Sequence, residues 1–292
     1  MTYDARSFDV LHEEISALYN AYRSGSESPL PELRVQVADF AAWQREWLRE
    51  GGEAYGAAVE WWKKHWPAGV ATLNELPFSC KAKPDNPDAI HPYYTVTFSP
   101  ELLERLRALC RRENVTLYTV MFAAFARLLH EYSQREQLVI GTYVSQRSKP
   151  STAAMMGFFV NLLSLCIDHR GQPSFRELMR RIQQTMQEAT IHQYLPFERL
   201  SDELEKSEDR KPPAAEIIFQ LTKTTKALQL DGLTNYLAPT SRQFSKPWRL
   251  SLTVVEGENS LQASAGFDPE LYAREGVIEM VQRYAAFLEA NV

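Results

Sequence analysis

Gly157-Phe158-Phe159-Val160-Asn161 and His192-Gln193-Tyr194-Leu195-Pro196-Phe197-Glu198 are the two stretches that decide the fold. The first sets a single amide, Asn161, inside an apolar run from Phe158 to Leu163. A polar group among apolar neighbours costs free energy unless something satisfies it. Asn161 therefore either serves a site or satisfies neighbouring backbone groups, and the first is favoured. Residues 161–167 read as a strand. Ser174 then caps a helix extending to about Ile191, and Pro196 opens a shorter one through Leu204. The two stretches thus bracket one strand–helix unit, one at its entry and one at its exit.

Working upstream, 138–144 is a second strand, behind an almost wholly apolar helix, 117–132, capped by Thr116. Ser99-Pro100-Glu101 starts the preceding helix, which runs to about Glu113, and 93–98 alternates as a strand. Residues 67–92 hold five prolines (67, 77, 84, 87 and 92) without periodicity, so they read as a linker. Before it, 38–66 is helical with a break at Gly51-Gly52 and carries Trp43, Trp47, Trp61, Trp62 and Trp66. Packing accounts for such a stripe more readily than ligand stacking. Residues 7–23 form an amphipathic helix capped by Ser7, with Phe8, Leu11, Ile15, Leu18, Tyr19 and Tyr22 on one face.

Downstream, 216–222 is a strand, and 250–256 and 260–267 form a hairpin around Gly257-Glu258-Asn259. Asp268-Pro269 starts a last helix whose apolar face includes Val277, Met280, Val281, Tyr284 and Leu288. From residue 93 the order is β-α-α-β-β-α-α-β-β-β-α, a two-layer α/β arrangement.

Composition narrows the function. With 292 residues there is room for about two lobes, and 45% apolar with 24% charged residues is ordinary for a globular protein. A net charge of −5 offers no global field for nucleic acid or an anionic membrane. Cys80, Cys110 and Cys166 lack CxxC spacing and read as free thiols in a reducing cytosol. No signal peptide or spanning apolar run is evident, so a cytoplasmic location is expected.

Chemistry is not self-evident. There is no G-x-S-x-G, no P-loop and no G-x-G-x-x-G. His12-Glu13-Glu14 begins like a zinc-protease helix, but Ser16 stands where the second histidine belongs. His12, His65, His91, His130, His169 and His192 are scattered singly, so no metal site is expected.

The motifs supply what spacing does not. The two opening stretches resemble GxFVNT and HQDxPFE of the condensation domains of nonribosomal peptide synthetases. Val37-Ala38-Asp39-Phe40-Ala41-Ala42-Trp43 is similar to that family's Y-x-D-[FY]-A-x-W, and 139–147, ending in Gln146-Arg147, to its VxGTPVxxR. Met1-Thr2-Tyr3-Asp4-Ala5 reads as the tail of the catalytic signature HHxxxDG without its two histidines. These matches fall in the family's order across roughly residues 4–220.

The resemblance implies a chloramphenicol-acetyltransferase-like α/β fold, two lobes in a V around a tunnel. Residues 1–66 would end a partial N-terminal lobe, 67–92 would link the lobes, and 93–292 would form a complete C-terminal lobe. It implies amide-bond formation between a carrier-bound acyl or peptidyl donor and an aminoacyl acceptor. Upstream and downstream peptidyl carrier domains and an adjacent adenylation domain are the expected partners. No cofactor is held directly; phosphopantetheine comes on the carriers. Asp4, the motif aspartate, is structural in the family; Arg147 is either its partner or an exposed turn residue, and the two readings weigh equally. Gly157, Phe158, Asn161, His192 and Gln193 are expected in the tunnel wall or its support, though for Phe158, Phe159 and Phe197 a core role is favoured.

There are departures: Ala5 for the motif glycine, Tyr194 for the aspartate of HQDxPFE, and Arg249 where many members are acidic. The last motif, RDxSRNPL, shrinks to Asp209-Arg210-Lys211-Pro212-Pro213. Without the histidines the chain is expected to be inactive alone, and an exposed inner face predicts aggregation or a need for a partner. The alternative is a noncatalytic module that docks carriers or recruits a partner enzyme.

Overall fold

The computed structural model describes residues 3–66, 70, 76–79, 92–147, 149–208, 215–234 and 248–292. Most of the 67–92 segment, Cys80, His91 and the motif remnant 209–213 lie outside the described residues.

Three helices come first, α1 (Ala5–Arg23), α2 (Val37–Trp47) and α3 (Glu53–His65). The order then runs β1 (Tyr93–Phe98), α4 (Pro100–Glu113), α5 (Leu117–Ser133), β2 (Gln137–Ser145), β3 (Val160–Asp168) and α6 (Phe175–Ile191). It closes with α7 (Phe197–Glu208), β4 (Ile217–Lys223), β5 (Leu250–Glu256), β6 (Leu261–Phe267) and α8 (Arg274–Asn291). One six-stranded mixed sheet has the order β1-β6-β5-β4-β2-β3. Only β2·β4 and β4·β5 are parallel. Gly141 makes the β2–β4 approach possible: a Cβ there would lie 2.4 Å from the Ile218 side chain and 2.7 Å from that of Ala215.

One sheet face packs on helices. Leu138, Ile140, Leu163, Leu165, Phe219, Leu252 and Val254 join the fully buried α5 residues Met121, Phe122 and Phe125 in a single core. Phe122 and Phe219 stack at 5.0 Å. The same core takes in Tyr55, Ala58, Val59, Trp62 and Trp66 of the α3 region. The tryptophans there are packing residues: Trp62 and Trp66 are almost wholly buried.

Among the described residues β3 is an edge strand, and side chains cover part of its free edge. The Trp66 indole N–H donates to the Ser164 carbonyl (2.7 Å), and the Cys166 N–H donates to His65 Nε2 (3.1 Å). An unpaired edge is a liability for aggregation, and this pairing removes it locally. Helix α3 also meets α7, where Tyr55 donates to Glu203 (3.2 Å), and Arg199 of α7 donates to the Leu48 carbonyl at the end of α2 (2.9 Å).

Two expected boundaries move. Asp4, not Ser7, caps α1, its carboxylate accepting the Ser7 N–H at 2.9 Å. The last helix starts at Arg274, because residues 268–272 make a turn (Tyr272 N–H to Asp268 O, 2.9 Å) that sinks Tyr272 into the core. Helix α1 also buries less than its pattern implies. Phe8, Leu11, Ile15 and Tyr22 remain exposed. Its polar stripe does the anchoring: Asp9, Ser16 and Asn20 accept the N–H groups of Lys226, Gln229 and Asp231, in the chain that follows β4.

Among the described residues no helix is long and apolar enough to cross a membrane. None of them form a group of three or more His, Cys, Asp or Glu able to hold a metal ion. Cys110 and Cys166 are free thiols.

Candidate functional site

The ladder between β2 and β3 runs on past Ser145↔Val160: the Gln146 N–H donates to the Phe159 carbonyl at 2.6 Å. Gln146 and Arg147 therefore leave the sheet in a fixed geometry, and each gathers a different set of segments.

Arg147 gathers the start of α1 and the loop before β3. Its guanidinium donates to both oxygens of Asp4 (3.0 and 3.3 Å) and to the carbonyls of Thr152 (2.7 Å) and Met155 (2.6 Å). It also lies 4.1 Å over the Phe159 ring. The two charged side chains are only 5% and 2% exposed. Asp4 is satisfied further by the N–H groups of Ser7 (2.9 Å) and Phe159 (3.1 Å). Burial alone would raise the Asp4 pKa, but hydrogen bonds from Arg147 and Ser7 together outweigh it and hold the carboxyl below the usual range.

Gly157 closes this cluster. Its carbonyl accepts from the Asp4 N–H (3.2 Å), and its own N–H donates to the Ser7 hydroxyl (3.0 Å). A Cβ on Gly157 would stand 2.8 Å from the Phe159 ring and 2.9 Å from Val37, so any side chain there would have to displace one of them.

The second set is made of uncharged amides. Asn161 Nδ2 donates to the carbonyls of Gln193 (2.8 Å) and Leu195 (2.9 Å). Gln146 Nε2 donates to the same Gln193 carbonyl (2.9 Å), and Gln44 of α2 donates to Gln146 Oε1 (3.1 Å). The α6–α7 turn that carries His192 to Leu195 is thus pinned from β2 and β3 at once. Beside it, the His192 ring stacks on Trp61 (5.1 Å), which also stacks on His65 (4.6 Å). Burial depresses both imidazoles, His65 to about 4.

Of the residues singled out in the sequence, Asp4, Arg147 and Gly157 meet in the first set, and Asn161, Gln193 and the neighbouring His192 in the second. Of the two tasks open to Asn161, the structure displays the backbone one, with its amide N–H groups on turn carbonyls. The phenylalanines separate: Phe159 is 1% exposed and packs on Phe40 (4.8 Å), whereas Phe158 is 47% exposed and so is no core residue. Tyr194 fills the motif's aspartate position with an aromatic ring, edge-on to Trp43 (5.2 Å) and Trp47 (5.4 Å). Arg249 is paired with Glu216 at 2.9 Å.

Sequence reasoning missed Gln44, Gln146 and the inward role of Ser7. Nothing in their spacing marks them. The only signal was Gln146 following an apolar strand without a turn residue, and that alone is weak.

Comparison with known proteins agrees with this architecture. The condensation-domain family model matches residues 1–292. A linear gramicidin synthase of Brevibacillus parabrevis is 33% identical over 99% of this chain, which spans 6% of that protein. Phosphinothricin tripeptide synthetase PhsB of Streptomyces viridochromogenes is 34% identical over 98% of this chain and 24% of its own length. The chain therefore corresponds to a small part of these relatives.

Among solved structures, the X-domain from teicoplanin biosynthesis superposes with a TM-score of 0.79 at 22% identity, covering 99% of this chain and 66% of that one. The first condensation domain of the CDA synthetase gives 0.73 at 17% identity, covering 98% and 60%. The fold is the chloramphenicol-acetyltransferase-like one of condensation-domain structures, and the chain belongs to the condensation-domain family.

Proposed function

We propose that the full-length protein forms an amide bond between a carrier-bound acyl or peptidyl donor and a carrier-bound aminoacyl acceptor. In this reading the present chain supplies wall and scaffold for the channel in which the two meet. The observation that carries it is the buried Asp4–Arg147 pair (3.0 Å), which fastens the signature aspartate to the loop of Gly157 and Phe158. A reacting amine and thioester need fixed positions more than a new functional group, and a clasp of this kind holds the surrounding loops in place.

In the same reading Gly157, Phe158, Asn161, His192 and Gln193 line or support the channel. Residues 1–66 end one lobe, 67–92 connect, and 93–292 form the other. The phosphopantetheine arms belong to the substrates and arrive on upstream and downstream carrier domains, with an adenylation domain adjacent. The sequence contains no His-His pair. A general base or positioning group of that type contributes roughly 10²–10⁴-fold, so the isolated chain is expected to give no turnover. The test is to supply loaded donor and acceptor carriers to the full-length protein and to this chain alone. Amide product from the first only is the expected result. Product from the chain at a comparable rate, or none from the full-length protein, would refute it.

A second reading, a noncatalytic docking module, is favoured by one comparison. The teicoplanin X-domain was solved as a complex with OxyB, with a TM-score of 0.81 to this chain. Binding of the isolated chain to a carrier or tailoring enzyme, with no product in either form, would decide for it.

A further inference from the structure

We propose that Gln146 is a positioning residue for the reaction assigned above, keeping helix α2 and the His192–Leu195 turn in one register with the end of β2. The proposal rests on that reading of the reaction, but its structural part stands on the hydrogen bonds alone. Gln146 is 5% exposed and directly precedes Arg147. Its backbone is fixed by the last rung of the sheet, the 2.6 Å bond to the Phe159 carbonyl. From there its side chain joins two segments far apart in sequence: Nε2 donates to the Gln193 carbonyl (2.9 Å), and Oε1 accepts from Gln44 Nε2 (3.1 Å).

The chemistry selects an amide. The position needs one donor toward Gln193 and one acceptor toward Gln44 in a buried place, without charge. Primary amides provide both. An aliphatic side chain would leave the Gln44 amide without this acceptor. An ionised carboxylate would set an anion against the Gln193 carbonyl and bring an uncompensated charge into a buried site.

The Gln193 carbonyl takes a second donor, Asn161 Nδ2 at 2.8 Å, so β2 and β3 hold the turn from two sides. Among the described residues the Asn161 side chain reaches only that turn, at Gln193 and Leu195. Gln146 also reaches α2. It therefore adds a polar link between α2 and the turn to the direct contacts of Trp43, Trp47 and Gln44 with Tyr194, one that ties both to the end of β2, and a misplacement of about 1 Å in such a frame can cost ~10²-fold in rate.

Hydrogen exchange on this chain and kinetics on the full-length protein test the proposal together. Gln146→Leu should raise amide exchange in both residues 193–195 and the second half of α2, whereas Asn161→Leu should raise it in the turn alone. With loaded carriers, Gln146→Leu should lower kcat roughly 10- to 100-fold with KM for the carriers unchanged. Gln146→Glu should recover toward the parent as pH falls, because the protonated carboxyl donates to Gln193 and accepts from Gln44.

Exchange confined to one segment, a KM effect without a kcat effect, or Gln146→Glu without acid recovery would overturn it. Should Gln146→Leu fail to fold, Gln146→Glu compared at low and neutral pH decides the question. If the parent protein makes no amide product, the reaction reading fails, and the exchange pattern alone settles whether Gln146 couples α2 to the turn.

Discussion

Two neighbouring residues at the end of β2 hold the molecule together by opposite means. Arg147 works through a buried ion pair with Asp4 and carbonyls of the 152–157 loop; Gln146 works through neutral amides to Gln44 and Gln193. The ionic junction joins α1 to the loop before β3. The amide junction joins α2 to the α6–α7 turn. The difference matters for how each fails. Breaking a buried ion pair strands a charge, while breaking an amide contact strands a dipole, which costs less. The ionic clasp is thus the all-or-none joint of the site, and the amide clasp the adjustable one.

The largest expected effect comes from deleting the charge. Arg147→Ala should destabilise the chain by about 3–5 kcal/mol, read from the shift of the urea midpoint at constant slope. A loss below about 1 kcal/mol, as for a surface pair, would break the contrast. Next is Asn161→Leu, which deprives two turn carbonyls of a donor and should cost about 1–3 kcal/mol. If it cost as much as Arg147→Ala, the amide side would have to be regarded as equally rigid.

Crowding a methyl onto Gly157 should cost ~1–3 kcal/mol, at the lower end if Val37 can yield. Pairing Gly157→Ala with Arg147→Ala should give a non-additive cycle, because both act on the same loop. Additivity would place Gly157 outside the ionic cluster.

The smallest effect at neutral pH concerns His65. Its folded pKa is lowered by burial from 6.5 to about 4. The neutral ring therefore contributes stability that is complete above pH 6.5 and declines as pH falls toward 4. Asp4 is also lowered, so its contribution is complete above 3.8 and is lost only under stronger acid. Acid should loosen the α3–β3 junction before the ionic clasp. Tryptophan fluorescence, with Trp61 and Trp62 against His65, should change as pH falls from 6.5 toward 4 in the parent and change less in His65→Ala, where only His192 still titrates against Trp61. The reverse order would sink the assignment.

Much of the fold was legible. Ser99-Pro100, Thr116 and Ser174 each state a helix start through a local hydrogen bond, and all three helices begin where those residues place them. Asp268-Pro269 misled because the same chemistry also makes turns, and burial of Tyr272 favoured the turn. Helix α1 shows the same limit: its 3–4 spacing fixed the apolar face but not whether that face would be covered. For the site, the motifs brought Asp4, Arg147, Gly157, Asn161 and Gln193 into view. Gln44 and Gln146 stayed hidden because a lone glutamine has the same local preferences whether exposed or buried.

What the sequence alone determined was the order of elements, the α/β class and the family, because capping, periodicity and motif order are local or linear properties. Only the tertiary structure decided that Asn161 serves the backbone of a turn, that Phe158 and Phe159 part ways, and that Gln146 and Arg147 grip different halves of the site. Those outcomes depend on partners far away in the chain, from 32 positions for Asn161 against Gln193 to 155 for Phe159 against Asp4. No local preference of a residue encodes a partner that only folding brings within hydrogen-bond reach.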